Sequence, residues 1–332
     1  MTEDSKAYWA WLQLSLGEGS FKPKRILSYF PDIPSFYDAG PIQWRSLGLF
    51  TPKELKQLSQ NTLEDGKILI ASSEEKGIQT ITPACKAYPQ RLYQIDNPPC
   101  MLYVKGTLPN LDEQPALAVV GTRNATTTGK QITYDLSMQL AQAGMVIISG
   151  GAKGIDTAAH QGALQGNGIS ICVLGCGIEY PYLMENESMR QSIAEHGAII
   201  SEFPVTKPAF KHHFPIRNRI ISGLSVGVLV VEAAERSGSL ITARTALEQN
   251  RDVFAVPCGI YNPVSEGVNN LIKAGAKPVT KAQDILEEYT NTYLLQLEQF
   301  KMESQVQKKE EQMLYQEPRP VKVFDEKETT ER

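Results

Sequence analysis

Six short apolar runs recur between residues 117 and 257, and their spacing constrains the fold more than any other feature of the chain. They fall at 117–121, 145–149, 169–174, 198–202, 226–231 and 253–257. Amphipathic stretches of helical length separate them, for example 128–143 and 157–165. Strands alternating with helices predict a mostly parallel sheet covered on both faces, and six strands make a full doubly wound α/β domain. In such a sheet, ligands bind at the carboxyl ends of the strands.

The turns leaving the first two runs are rich in glycine. They read Val119-Val120-Gly121-Thr122-Arg123 and Ile148-Ser149-Gly150-Gly151-Ala152-Lys153-Gly154-Ile155-Asp156. Glycine lets the backbone approach an anion closely, and a helix N-terminus offers it free N–H groups. Each turn also carries a cation, Arg123 or Lys153. Ordinary tight turns between strand and helix are the plain alternative for either one alone. A third feature is a basic loop, Lys211-His212-His213-Phe214-Pro215-Ile216-Arg217-Asn218-Arg219.

The formal net charge is −4, yet the charges are unevenly placed. Residues 203–231 contain no acid but hold Lys207, Lys211, Arg217 and Arg219, and residues 114–134 are again free of acids. A nearly neutral protein can therefore carry one basic groove. A solvated basic face is the simpler reading, and the fall of the cations at expected strand ends weakens it.

The ligand class follows by elimination. A dinucleotide fingerprint needs G-x-G-x-x-G after the first strand, whereas here one glycine is followed by Thr-Arg-Asn-Ala-Thr126. The later Gly175-Cys176-Gly177 lacks the third glycine, and Gly150-Gly151-Ala152-Lys153-Gly154 is too short for a Walker A loop. No NAD, FAD or other cofactor is expected. What is left is isolated phosphates or a polyphosphate backbone. Cations beside an aromatic ring, as in residues 211–219, are the ingredients of single-strand binding. Core packing is the alternative for Phe214. Pairing with Glu202 or Glu232 is the alternative for one of Arg217 and Arg219.

A length of 332 residues suggests two or three domains. Residues 1–76 read as a small all-α module of the sterile-alpha-motif or helix-hairpin-helix kind. Pro23 opens a segment at 24–30, Pro34 and Pro41 open segments closed by Gly40 and Gly48, and Thr51-Pro52-Lys53-Glu54 caps a longer helix. Mixed charges there favour a docking or structural role. Residues 77–289 form the main domain, entered through a strand at 78–82 and an extended, proline-guided segment. Residues 290–332 read as a charged, partly disordered tail, starting with a helix at 294–312. No run of eighteen apolar residues and no signal-peptide pattern occurs, so a soluble, cytoplasmic protein without a membrane partner is expected. Five scattered cysteines fit reduced thiols, and Cys172 and Cys176 lack a second ligand pair of zinc-finger spacing, so no metal is expected.

The 119–123 turn, the 149–156 turn with His160, Phe214-Pro-Ile-Arg-Asn-Arg-Ile-Ile221, Glu232-Ala-Ala-Glu-Arg-Ser-Gly-Ser-Leu-Ile-Thr242 and Ser265-Glu-Gly-Val-Asn-Asn-Leu-Ile272 together resemble the DprA/Smf family of DNA-processing proteins of natural transformation. Tyr88-Pro89, Pro98-Pro99 and Leu102-Tyr103 match as well, so the likeness spans about residues 78–280. It implies a Rossmann-like core that binds single-stranded DNA, protects it and helps load RecA, that dimerises, and that is not an enzyme. Carried over by motif, Arg123, Lys153 and Lys211 meet phosphates, Phe214 stacks a base, and Arg217 and Arg219 complete the pocket. Gly121, Ser149, Gly150 and Gly151 supply backbone or hydroxyl contacts, and the helix at 267–274 forms the dimer face. The chain departs from the family in leaving too few residues after Tyr289 for a winged helix, and in reading Pro257-Cys258-Gly259 for Pro-Gly.

The rival enzyme reading is a nucleotide phosphoribohydrolase of related fold, with Glu232 as its glutamate. The expected Pro-Gly-Gly-x-Gly-Thr loop is missing: the chain has Ala234-Glu235-Arg236-Ser237-Gly238-Ser239. Glu232 reads better as an acid at a helix N-terminus or a partner of a core arginine. Asp156 and His160, four apart on one helix face, read as capping the helix and orienting Lys153. A third reading is an interaction protein whose basic groove takes an acidic partner.

Overall fold

The computed structural model describes residues 3–262 and 264–297. Five helices come first: α1 (Glu3–Leu16), α2 (Lys22–Leu27), α3 (Ile33–Ser46), α4 (Pro52–Gln60) and α5 (Leu63–Glu74). The chain continues through β1 (Gln79–Ile81), α6 (Gln90–Tyr93), β2 (Leu102–Gly106), β3 (Ala116–Val120), α7 (Thr127–Gln142), β4 (Val146–Ser149), α8 (Ile155–Gln165) and β5 (Ser170–Leu174). It ends with α9 (Glu187–His196), β6 (Ala198–Ser201), α10 (His213–Gly223), β7 (Gly227–Val230), α11 (Gly238–Glu248), β8 (Asp252–Ala255), α12 (Glu266–Lys273), β9 (Lys277–Pro278) and α13 (Gln283–Tyr289). The six expected core strands are β3 to β8. The proline-guided segment holds one short helix, α6, where an extended course was expected.

The nine strands form one sheet in the order β1-β2-β6-β5-β4-β3-β7-β8-β9. All neighbours from β6 to β9 are parallel, and β1 and β2 add an antiparallel edge. Strands β3 to β7 are buried throughout and apolar but for Ser149, Ser170 and Ser201, because helices cover both sheet faces. Alternation sorts their side chains. Ala118, Val120, Ile148, Val173 and Val230 pack under α10 and α11, while Leu117, Val119, Ile147 and Leu229 pack under α7, α8 and α13. The chain winds outward from β3 to β6, then returns to the opposite side of β3 with β7. The crevice between the carboxyl ends of β3 and β7 is therefore the topological switch point.

The helical module follows its punctuation closely. Gly40 (φ 74°) breaks α3, and Pro41 restarts it. The longer helix expected after Thr51 is two helices: Asn61 is extended (ψ 142°), and a second capping box, Thr62 with Asp65, starts α5. Trp11, Phe36 and Trp44 form the module's centre, with ring centroids 5.6–5.9 Å apart. The indoles of Trp11 and Trp44 donate to the carbonyls of Asn61 (3.0 Å) and Phe36 (2.6 Å).

A seam joins this module to the sheet at Glu202, just past β6. Its backbone carbonyl accepts from Gln13 Nε2 (2.7 Å), and its Oε1 accepts from Gly19 N (2.9 Å) and Arg219 Nη2 (2.8 Å). At the far end of the chain, residues 290–297 still pack, with Leu297 buried beside α13. The rest of the expected tail, from 298 on, and most of its expected helix lie outside the described residues.

Candidate nucleic-acid interface

The carboxyl ends of β3, β4 and β7 open into a groove of about 360 Å³ at the switch point. Gly121 begins one wall. A Cβ there would lie 2.5 Å from Ile155 and 3.0 Å from the Glu232 carbonyl, so only glycine fits the turn. Thr122 N donates to that carbonyl (2.7 Å), which pins the turn to the end of β7 and leaves Arg123 exposed at the rim.

The floor is Arg217. Its guanidinium is buried, and Nη1 donates to the carbonyls of Gly150 (2.7 Å) and Val173. A Cβ on Gly150 would stand 2.4 Å from that nitrogen, so the second glycine-rich turn makes room for an arginine. Burial lowers the Arg217 pKa, with Asp156 opposing the shift. The guanidinium stays charged, since an arginine does not give up its proton in proteins. Asp156 also lines the groove. Burial raises its pKa, Arg217 and Arg123 pull it back, and its Oδ2 accepts from Ala152 N (3.3 Å).

Phe214 stands between the two arginines. Arg123 Cζ lies 5.1 Å and Arg217 Cζ 5.9 Å from its ring centroid. Tyr182 backs it at 5.6 Å. An aromatic face flanked by two cations is an attractive surface for a base attached to a phosphate.

The structure thus unites Gly121, Arg123, Phe214 and Arg217, with Gly150 beneath the last. It distributes the other expected residues elsewhere. Ser149 is buried, and its hydroxyl donates to the Val119 carbonyl (2.7 Å). Gly151 (φ 66°) packs on Cys172, whose sulfur would lie 2.6 Å from a Cβ. Lys153 is exposed and pairs with Glu185 at 2.7 Å, outside the groove. Lys211 is exposed ahead of α10 and is not a lining residue of the groove. Arg219 is buried in the seam against Glu202.

The reason for that last placement is local. Residues 211–219 were expected as a loop, but a helix starts at His213, with Pro215 tolerated in its first turn. Residues two apart on a helix do not share a face. Arg217 therefore points to the groove and Arg219 away from it. His213 is held down as well: it stacks on Phe203 at 4.1 Å, and its Nδ1 donates to the Gly175 carbonyl (3.2 Å).

Two expectations about acid and imidazole groups change. His160 does not orient Lys153. It lies in the core with Nδ1 2.8 Å from Ser170 Oγ, and burial pushes its pKa down to about 3. Glu232 is an acid at a helix N-terminus, as expected, but the helix is α7. Its carboxylate accepts from Thr126 N (2.9 Å) and Thr126 Oγ1 (2.6 Å). The remaining groove wall is the start of α11, where Ser237, Ser239 and Thr242 line the same space. Their signal was present in the sequence: Ser-Gly-Ser after β7 repeats the strand–turn–helix pattern of the first two turns.

The profile of the family described as DNA recombination-mediator protein A matches residues 79–290. The chain is 44% identical to the DNA processing protein DprA of Bacillus subtilis over 220 residues, 66% of this chain and 74% of that protein. It is 37% identical to the Smf protein of a Synechocystis strain over 292 residues, 86% of this chain and 73% of that one. The solved structure of DprA from Streptococcus pneumoniae superposes with a TM-score of 0.73 at 34% identity, covering 87% of this chain and 98% of that chain. The DNA processing protein A of Helicobacter pylori, whose structure concerns its single-stranded DNA binding mode, gives a TM-score of 0.59 at 32% identity and covers 65% and 97%. The chain belongs to the DNA recombination-mediator protein A family, the family of DprA and Smf.

Proposed function

We propose that the switch-point groove binds single-stranded DNA and that the protein acts in DNA processing during natural transformation. The observation that carries this reading is the triad of Arg123, Phe214 and Arg217 around one opening. Bases of a duplex are already stacked, so a half-buried ring between two cations favours a strand whose bases are free. The resemblance to the DprA/Smf family extends this proposal to protection of incoming DNA, loading of RecA and a homodimer formed through α12. This reading gives the protein no catalytic role; Glu232, the glutamate of the enzyme reading, accepts from Thr126 at the start of α7. Residues 1–76 serve as a docking or structural module and 77–289 as the binding domain. A cytoplasmic site of action fits this role, and among the described residues no helix is long and apolar enough to cross a membrane.

Fluorescence anisotropy with a labelled oligonucleotide of about twenty nucleotides, within reach of a few single-strand sites, tests the reading. Tight binding to the single strand, weak competition by duplex or mononucleotide, and loss in Arg123→Ala are the expected results. Competition by mononucleotide alone would return the enzyme reading and make Glu232 the next residue to mutate. A RecA-loading assay on pre-coated single strands then tests the mediator role.

A further inference from the structure

Behind the wall that carries Arg123 lies a second concavity, of about 460 Å³, between the starts of α7 and α8. Lys130, Tyr134, Lys153, Gln161 and Glu185 line it. It is not a continuation of the groove floor. The backbone of Thr122 and Arg123 separates the two, and Gly154 (φ 81°) lets α8 press against that backbone: a Cβ would lie 2.4 Å from the Thr122 carbonyl and 2.6 Å from that of Arg123. Ile155 N also donates to the Thr122 carbonyl (3.3 Å). The shared wall fixes the two openings relative to each other, and Arg123 stands at the crest.

The charged side chains of the second opening are Lys130, Lys153 and Glu185. Lys130 is exposed and makes no ion pair among the described residues. Lys153 and Glu185 form a surface pair, each side chain more than half exposed, which is worth at most about 1 kcal/mol. The acid is thus easily displaced by a stronger anion, and a bound phosphate would gain both lysines. The remaining lining residues are uncharged, the Tyr134 phenol ring among them.

We infer that this concavity is a second subsite, which takes the phosphodiester of a nucleotide flanking the one in the groove, with Lys130 and Lys153 as its cations and Glu185 as the anion it displaces. The inference rests on the single-strand reading of the groove. It assigns Lys153, which the groove leaves out, to the same strand on the other side of Arg123.

The test compares Lys130→Glu and Glu185→Gln with wild type, using oligothymidylates of about four and about twenty nucleotides, the short one at the lower limit of single-strand site sizes. Lys130→Glu should weaken the long strand by roughly five- to tenfold and leave the short one within twofold. It should also flatten the log–log salt slope by about 0.7, one phosphate's share for a single strand. Glu185→Gln should tighten the long strand only. An unchanged long-strand affinity in both variants would overturn the subsite, and so would an equal loss for both lengths. Wild type that binds neither strand would instead bring down the groove reading, and the subsite with it. Circular dichroism of the two variants, both at exposed positions, confirms that they are folded.

Discussion

Arg217 and Arg219 stand two residues apart on α10 and serve two different regions, the groove and the seam. Both guanidiniums are buried. In the seam Arg219 faces a carboxylate at 2.8 Å, so its charge is cancelled where it lies. In the groove Arg217 faces backbone carbonyls, and Asp156 is not within ion-pairing distance of it among the described residues. Arg123 adds a second, exposed charge nearby. One region has closed its electrostatic account inside the fold, and the other keeps positive charge for something outside it. Burial of an arginine therefore says little about its role until its partner is known.

Breaking the seam should give the largest effect. Arg219→Ala leaves the Glu202 carboxylate buried without its cation, which costs about 3–5 kcal/mol. Urea unfolding should register that loss, while the fraction still folded binds a single strand normally. Replacing both partners, Arg219→Met with Glu202→Leu, should recover most of the stability. A DNA-binding defect in that double variant would show that seam and groove are not separable.

An acid titration strikes both regions through the core beneath them. The folded His160 refuses a proton until about pH 3, whereas the unfolded chain accepts one below about 6.5. Its contribution is therefore complete above about 6.5 and declines as the pH falls, by up to about 1.4 kcal/mol per pH unit. His160→Asn, which keeps a polar partner for Ser170, should flatten the acid limb of the stability curve.

The groove should behave in the opposite way to the seam, with binding lost and stability kept. Phe214→Ala should cost about 1–3 kcal/mol of single-strand affinity if a base stacks there, with an unfolding midpoint close to wild type. Normal binding by a folded Phe214→Ala protein would remove the stacking role. Thr126→Ala removes the N-cap of α7 and one partner of Glu232, and should cost about 1 kcal/mol of stability in thermal unfolding. The smallest and broadest signature is salt. Four to six engaged phosphates give a log–log slope of roughly −3 to −4 for a single strand.

Much of this was legible in the chain. Strands β3 to β8 could be read because strands covered on both faces are almost continuously apolar. Gly121 and Arg123 could be placed at the switch point because strand ends in a doubly wound sheet converge. The place of Arg219 stayed open between the groove and a pairing with Glu202 because residues 211–219 look like a loop, in which neighbouring cations are free to point alike. The helix beginning at His213 turns them apart. The position of Lys153 outside the groove was not legible because its partner, Glu185, lies 32 residues away, and local spacing does not reveal such a pairing. The break between α4 and α5 was available in Thr62-Leu63-Glu64-Asp65, a capping box with aspartate in place of glutamate.

The most direct test of the central claim, that the groove and not the helical module takes the strand, is photocrosslinking. A single strand carrying 5-iodouracil would be irradiated with the full-length protein and the crosslinked peptide identified by mass spectrometry. Crosslinks to Phe214 or to Tyr182 behind it are the expected result. Crosslinks confined to the exposed rings of the module, Phe21 and Tyr29, would contradict it.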